Sequence, residues 1–152
     1  RDGDEAEFVL AGAPDPLNPS SITGSEIEAS VREGVVTSLG WQDNMAPVFA
    51  GATIVCLPSY REGLPKALLE AAASGRPIVT TDVPGCREIV QNDVNGLLVP
   101  ARDAHALAAA LHRLINDPVL CARYASAGRA RVESDFTLSR IIAETLAVYG
   151  EV

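Results

Sequence analysis

The chain has 152 residues, of which 47% are hydrophobic and 21% charged, with a formal net charge of −8. That length suits a single domain able to bury its own core, and that composition suits a soluble globular protein rather than a disordered or fibrous one. The acidic balance argues against nucleic acid and against an anionic membrane surface, because both require a basic footprint.

Short apolar runs alternate with helical periods, which predicts βαβ units and a mainly parallel sheet. Phe8 to Gly12 reads as a first strand, followed by a loop rich in Pro, Asn and Ser. Ser25, with Glu28 three residues on, has the form of a capping box and predicts a helix to about Glu33, stopped by Gly34. Val35 to Leu39 reads as a second strand closed by Gly40, and a short helix is expected from Asn44 to Ala50. Thr53 to Leu57 is a continuous apolar run, the pattern of a strand buried on both faces, which makes Cys56 a small core residue. A helix is predicted from Leu64 to Ser74, with Leu64, Ala67, Leu68 and Ala71 on its apolar face and Pro65 tolerated in the first turn. Gly75 stops it and Pro77 bars its continuation. Short strands at Pro77–Thr80 and Leu97–Val99 flank a short helix at Arg87–Gln91. The last third is helical: Ala104–Ile115 capped by Asp103, a helix from Asp117 or Pro118 to Ser134, and another from Leu138 to Tyr149. It serves as a packing layer or as a strut to another domain.

Cys56, Cys86 and Cys121 are widely spaced and odd in number, so neither a disulfide framework nor a zinc site is expected, and a reducing compartment fits. No run approaches the ~20 apolar residues of a membrane-spanning helix, and no signal peptide is visible. The first residue is Arg1 rather than Met, so the natural N-terminus is expected to lie upstream. His105 and His112 share one predicted helix, seven residues apart, and a surface or packing role is expected for both.

The segment with chemistry runs from Ser59 to Ala71, between the C-terminal end of a buried strand and the start of a helix. Ligands of open α/β sheets bind at that edge, and a helix N-terminus offers free amides and a positive dipole end to phosphate. Gly63 allows close approach of the backbone. Pro65 has no amide hydrogen, so a phosphate cradle falls to Gly63, Leu64, Lys66 and their neighbours, with Arg61 and Lys66 adding positive charge. Glu62 and Glu70 stand eight residues apart. If the span between them is helical they lie up to ~12 Å apart, wider than the roughly 5–9.5 Å of a carboxylate pair acting on one glycosidic bond. They suit opposite ends of a long ligand such as a nucleotide-diphosphate sugar. Read without that ligand, Glu62 is a surface charge before a helix and Glu70 a solvated helix residue.

The same segment resembles the E-x7-E motif of retaining glycosyltransferase family 4, which has the two-domain GT-B fold. The likeness extends over Ala6–Tyr149. Val35 to Trp41 is similar to that family's strand and loop near the nucleobase, "ATIVCLPSYREG" to its strand into the donor site, and "EAAASGRPIVTTDVPGCREIVQNDVNGLLVP" to the pattern that follows. The resemblance implies a Rossmann-like three-layer α/β domain with a parallel sheet and a helical C-terminal third, residues 1–152 forming one donor-binding domain. It implies that Glu62 binds hydroxyls of the transferred sugar, that Gly63 and Leu64 give amides to the sugar or distal phosphate, that Glu70 binds the ribose, and that Gly40 and Trp41 lie near the base. Gly85 and Glu88 match a turn of the family, with a structural role expected. Where many members carry E-G-F-G, this chain has Glu62-Gly63-Leu64-Pro65 and so lacks one amide donor.

The resemblance further implies transfer of a sugar from a UDP- or GDP-linked donor with retention of configuration, in glycan or cell-envelope polysaccharide synthesis. Neither a metal nor another cofactor is expected. A glycan or lipid-linked acceptor would be met by an N-terminal domain outside this chain, in the cytoplasm and peripheral to the inner membrane. The family's donor domain opens with a further strand and helix, which the resemblance would place before Arg1. The isolated chain is therefore expected to be a poor catalyst with exposed strand edges. Two rivals exist. A dinucleotide-binding oxidoreductase requires G-x-G-x-x-G after the first strand, which Gly12-Ala13-Pro14 does not supply. A non-catalytic nucleotide-binding module is the other.

Overall fold

The computed structural model describes residues 6–18 and 21–150, which form two compact units, one ending at Val48 and the other beginning at Phe49. The α/β architecture with parallel strands and extensive helix is as expected. The strands, however, form two sheets rather than one, β1-β2 and β3-β4-β5. Alternation of strands and helices dictates parallel pairing but not how many ladders result.

In the first unit, β1 (Val9–Ala11) pairs in parallel with β2 (Thr37–Gly40), with an irregularity between Leu10 and Ala11. Helix α1 (Gly24–Arg32) connects them. Its cap is Thr23 rather than Ser25. The Thr23 hydroxyl accepts the Glu26 amide at 3.3 Å and the Glu26 carboxylate accepts the Thr23 amide at 2.8 Å. Both Thr23/Glu26 and Ser25/Glu28 have the spacing of a capping box, and the earlier pair adds a hydrogen bond between its own side chains, 2.6 Å long. Gly34 ends the helix at φ 68°, as its place after the last turn requires. Ile27 is the single buried side chain among the described residues of this unit, while Phe8, Val9, Val31, Val35 and Leu39 are 42–48% exposed.

Helix α2 (Ala46–Gly51) spans the boundary. The second unit then builds β3 (Val55–Leu57), α3 (Lys66–Ala73), β4 (Ile78–Thr81), α4 (Pro84–Ile89) and β5 (Gly96–Val99), followed by α5 (Ala104–Ile115), α6 (Pro118–Asp135) and α7 (Leu138–Gly150). Strand β4 is central, paired in parallel with β3 through Val55↔Ile78 and with β5 through Ile78↔Gly96, and all four of its residues are buried. The core packs α5 and α6 on this sheet: Val79, Leu97, Val99, Ala110, Leu114, Leu120 and Tyr124 form one cluster. Asp103 and Asp117 cap α5 and α6 by accepting amides of Ala106 and Leu120 at 2.9 Å.

Three expectations need correction. Strand β3 is not buried on both faces: Val55 and Leu57 are half-buried and Cys56 is exposed. An apolar run reports which residues tolerate burial, and β3, paired only with β4 among the described residues, leaves part of that capacity unused. Helix α3 starts at Lys66, not Leu64, because Pro65 takes the extended N-cap geometry, φ −71° and ψ 108°. Leu64 therefore lies outside the helix and is 48% exposed, while Leu68 and Ala71 are fully buried. Helix α4 begins at Pro84, at the first helical position that proline prefers, rather than at Arg87. The packing layer expected of the C-terminal third is supplied by α5 and α6. None of α7 is buried, and Leu138, Leu146 and Tyr149 are more than 60% exposed. Among the described residues no helix is long and apolar enough to cross a membrane.

Candidate functional site

The C-terminal ends of β3 and β4 point toward the loop Ser59–Pro65 and the first turn of α3. The Leu68 and Leu69 amides donate to the Pro65 carbonyl at 3.0 and 3.4 Å. The Lys66 and Ala67 amides precede those bonds and have no acceptor within the helix, so the positive end of α3 opens beside the loop. Glu62 is half-buried in this loop, and Arg61, Gly63 and Leu64 are exposed along it. One helical turn into α3, Glu70 is half-buried and its carboxylate lies 3.2 Å from the Lys66 ammonium, whose side chain is 86% exposed. The chain from Glu62 to Pro65 is not helical and bends at Gly63 and Leu64, so the two glutamates are joined by a bent loop and one turn of helix rather than by the continuous helix assumed for their spacing.

The segment from β4 into α4 underpins the loop. The Thr80 hydroxyl donates to the Leu57 carbonyl at 2.8 Å and touches Cys86 Sγ at 3.2 Å. The Thr81 hydroxyl donates to the Ser59 carbonyl. Burial pushes the Cys86 thiol above its ordinary value, and the nearby Glu62 carboxylate adds to the effect. Beyond β5, the Arg102 guanidinium stacks over the Tyr60 ring at 5.1 Å, with Arg102 held at φ 65°. Thr80, Thr81 and Arg102 were not legible as site residues. The one sequence signal was a pair of hydroxyls ending a buried strand.

Gly40 and Trp41 belong to the first unit. Gly40 stands at φ 64° and its carbonyl accepts the Gly12 amide at 2.8 Å. The Trp41 ring is 73% exposed and its indole donates to Asp43 at 2.9 Å. His105 and His112 are exposed on α5. An open concavity of ≈ 310 Å³ in the second unit is lined by Thr53, Gly75, Arg76 and Pro77. It lies at the N-terminal ends of β3 and β4, the sheet edge opposite to the one that binds ligands in such folds.

Comparison with known proteins agrees with this α/β fold. The family model for glycosyl transferases group 1 matches residues 1–117. The chain is 35% identical over 117 residues to the N,N'-diacetylbacillosaminyl-diphospho-undecaprenol alpha-1,3-N-acetylgalactosaminyltransferase of Campylobacter jejuni, covering 77% of this chain and 30% of that protein. Among solved structures it is similar to sucrose-phosphate synthase from Thermosynechococcus elongatus, with a TM-score of 0.83, 31% identity, and coverage of 95% of this chain and 38% of that one. It is also similar to Anabaena Alr3699/HepE in complex with UDP-glucose, with a TM-score of 0.80, 25% identity, and coverage of 93% and 41%. The chain thus spans less than half the length of these proteins. On the family match and these identities, the chain belongs to the glycosyl transferases group 1.

Proposed function

We propose that the chain is the nucleotide-sugar-binding portion of a retaining glycosyltransferase that uses a UDP- or GDP-linked donor. The observation that carries this reading is the placement of Glu62 in the loop after β3 and of Glu70 one turn into α3, on either side of the open amide end of that helix. The similar HepE structure, which holds UDP-glucose, supports it. In this reading Glu62 accepts hydrogen bonds from hydroxyls of the transferred sugar, and Gly63 and Leu64 donate amides to the sugar or distal phosphate. Arg61, Lys66 and the α3 amides offset the diphosphate charge without a metal. Glu70 accepts from the ribose hydroxyls. The base-side role of Gly40 and Trp41 rests on the resemblance alone.

Catalysis in such a site comes from holding the donor and from stabilising the departing diphosphate at the helix end, where preorganised dipoles face developing charge. The acceptor is a glycan or a lipid-linked glycan, met by a second domain of the whole protein at the cytoplasmic face of a membrane. The name of the Campylobacter relative, which acts on an undecaprenol diphosphate sugar, supports that class. Calorimetric titration with UDP, GDP and NAD tests the reading. Binding of UDP or GDP that Glu70→Ala removes is expected, and binding of NAD instead would overturn it.

A further inference from the structure

The loop Ser59–Pro65 contains no helix or strand, yet it must present Glu62 and Gly63 to a ligand in a fixed geometry. What holds it is the segment Thr80–Gly85. Gly85 is buried in the first turn of α4. A Cβ placed there would stand 1.8 Å from the Gly63 carbonyl oxygen, 2.5 Å from the Gly63 carbonyl carbon and 2.7 Å from the Glu62 carbonyl oxygen. All three are backbone atoms, so no side chain can rotate away to make room. Among the described residues the glycines at positive φ are Gly12, Gly34, Gly40 and Gly75. Gly85 is not among them, so space rather than backbone conformation demands glycine there. Glycine in a helical turn is a poor helix former, which leaves close approach as its physical rationale. At the other end of the loop, the buried Thr81 hydroxyl fixes the Ser59 carbonyl.

We infer that Gly85 and Thr81 are positioning residues for the Glu62–Gly63 peptide, setting the sugar end of the donor site relative to Glu70. This rests on the donor-site reading above. Neither residue is assigned a contact with the ligand. Their loss should therefore act on the sugar–diphosphate end and spare the nucleoside end, which a general loss of stability would not do.

The test is a titration of the chain with UDP-glucose and, separately, with uridine, followed by NMR, for the unaltered protein and for Gly85→Ala, Thr81→Val and Thr81→Ser. The expected result is weaker UDP-glucose binding in Gly85→Ala and Thr81→Val, on the order of tenfold or more, as displacement of a positioned group predicts. Uridine affinity should stay within about twofold, and Thr81→Ser, which keeps the hydroxyl, should bind both ligands like the unaltered chain. Should Gly85→Ala fail to fold, the Thr81 pair decides the matter alone. Unchanged UDP-glucose affinity in Thr81→Val, or a parallel fall for both ligands, overturns the inference while leaving the donor site standing. Binding of neither ligand by the unaltered chain overturns the donor-site reading and this inference with it.

Discussion

Lys66 and Glu70, both part of the proposed donor site, form an ion pair of 3.2 Å across one turn of α3. The arrangement does little for the helix. Lys before Glu at this spacing is the weaker order of the pair, and a cation in the first turn opposes the helix dipole. A positive charge placed where the helix gains least is consistent with a role toward an anion. Lys66→Ala is expected to change stability by less than about 0.5 kcal/mol, since exposed pairs contribute little. It should weaken UDP binding several-fold, with a smaller salt dependence than the unaltered chain. Thermal unfolding and calorimetry at two ionic strengths check both halves.

The displaced start of α3 makes a second prediction. Leu68 is fully buried and Leu64 is 48% exposed. Leu68→Ala should cost about 2–5 kcal/mol through lost burial and a residual cavity. Leu64→Ala should cost less than about 0.5 kcal/mol. Urea unfolding of the two variants distinguishes this from a helix beginning at Leu64, which would make the costs alike.

A third concerns acid stability. The Tyr124 hydroxyl donates to Asp93 at 2.9 Å and Arg113 pairs with the same carboxylate at 2.7 Å. The Tyr124 hydrogen bond, then Arg113, hold the Asp93 carboxyl below its ordinary range. Because the folded value is lowered, its contribution is complete above the unfolded value near pH 4 and is lost as pH falls through the folded value. Asp93→Asn should cost on the order of 0.5–1 kcal/mol at neutral pH, small because the pair is half-exposed, and progressively less as the pH falls through the folded value. Asn is the suitable replacement because Asp93 stands at φ 59°, which Asn tolerates. Unfolding measured from pH 2 to pH 7 gives the difference directly.

Where a local rule decided an element, the sequence was sufficient. Gly34 and Gly75 stop their helices at positive φ, and Asp103 caps a helix whose bounds, Ala104–Ile115, are those its periodicity predicts. Where the outcome depended on partners distant in the chain, it was not. The apolar run of β3 could not disclose that Cys56 would be exposed, and two overlapping capping signals at Thr23 and Ser25 differ only in side-chain geometry. Glu62 and Glu70 were singled out by their spacing and by the family resemblance, and they stand in the loop after β3 and one turn into α3. The contact of Gly85 with the Gly63 carbonyl joins residues 22 positions apart and has no local signature.

The loop after β3 and the start of α3 are proposed to bind a nucleotide-sugar. The most direct test follows backbone amide shifts of the labelled chain during titration with UDP-glucose. The largest shifts are expected on Gly63, Leu64, Lys66, Ala67 and Glu70. No shifts at saturating ligand, or shifts centred on the concavity lined by Thr53, Gly75, Arg76 and Pro77 at the opposite edge of the sheet, would contradict the proposal.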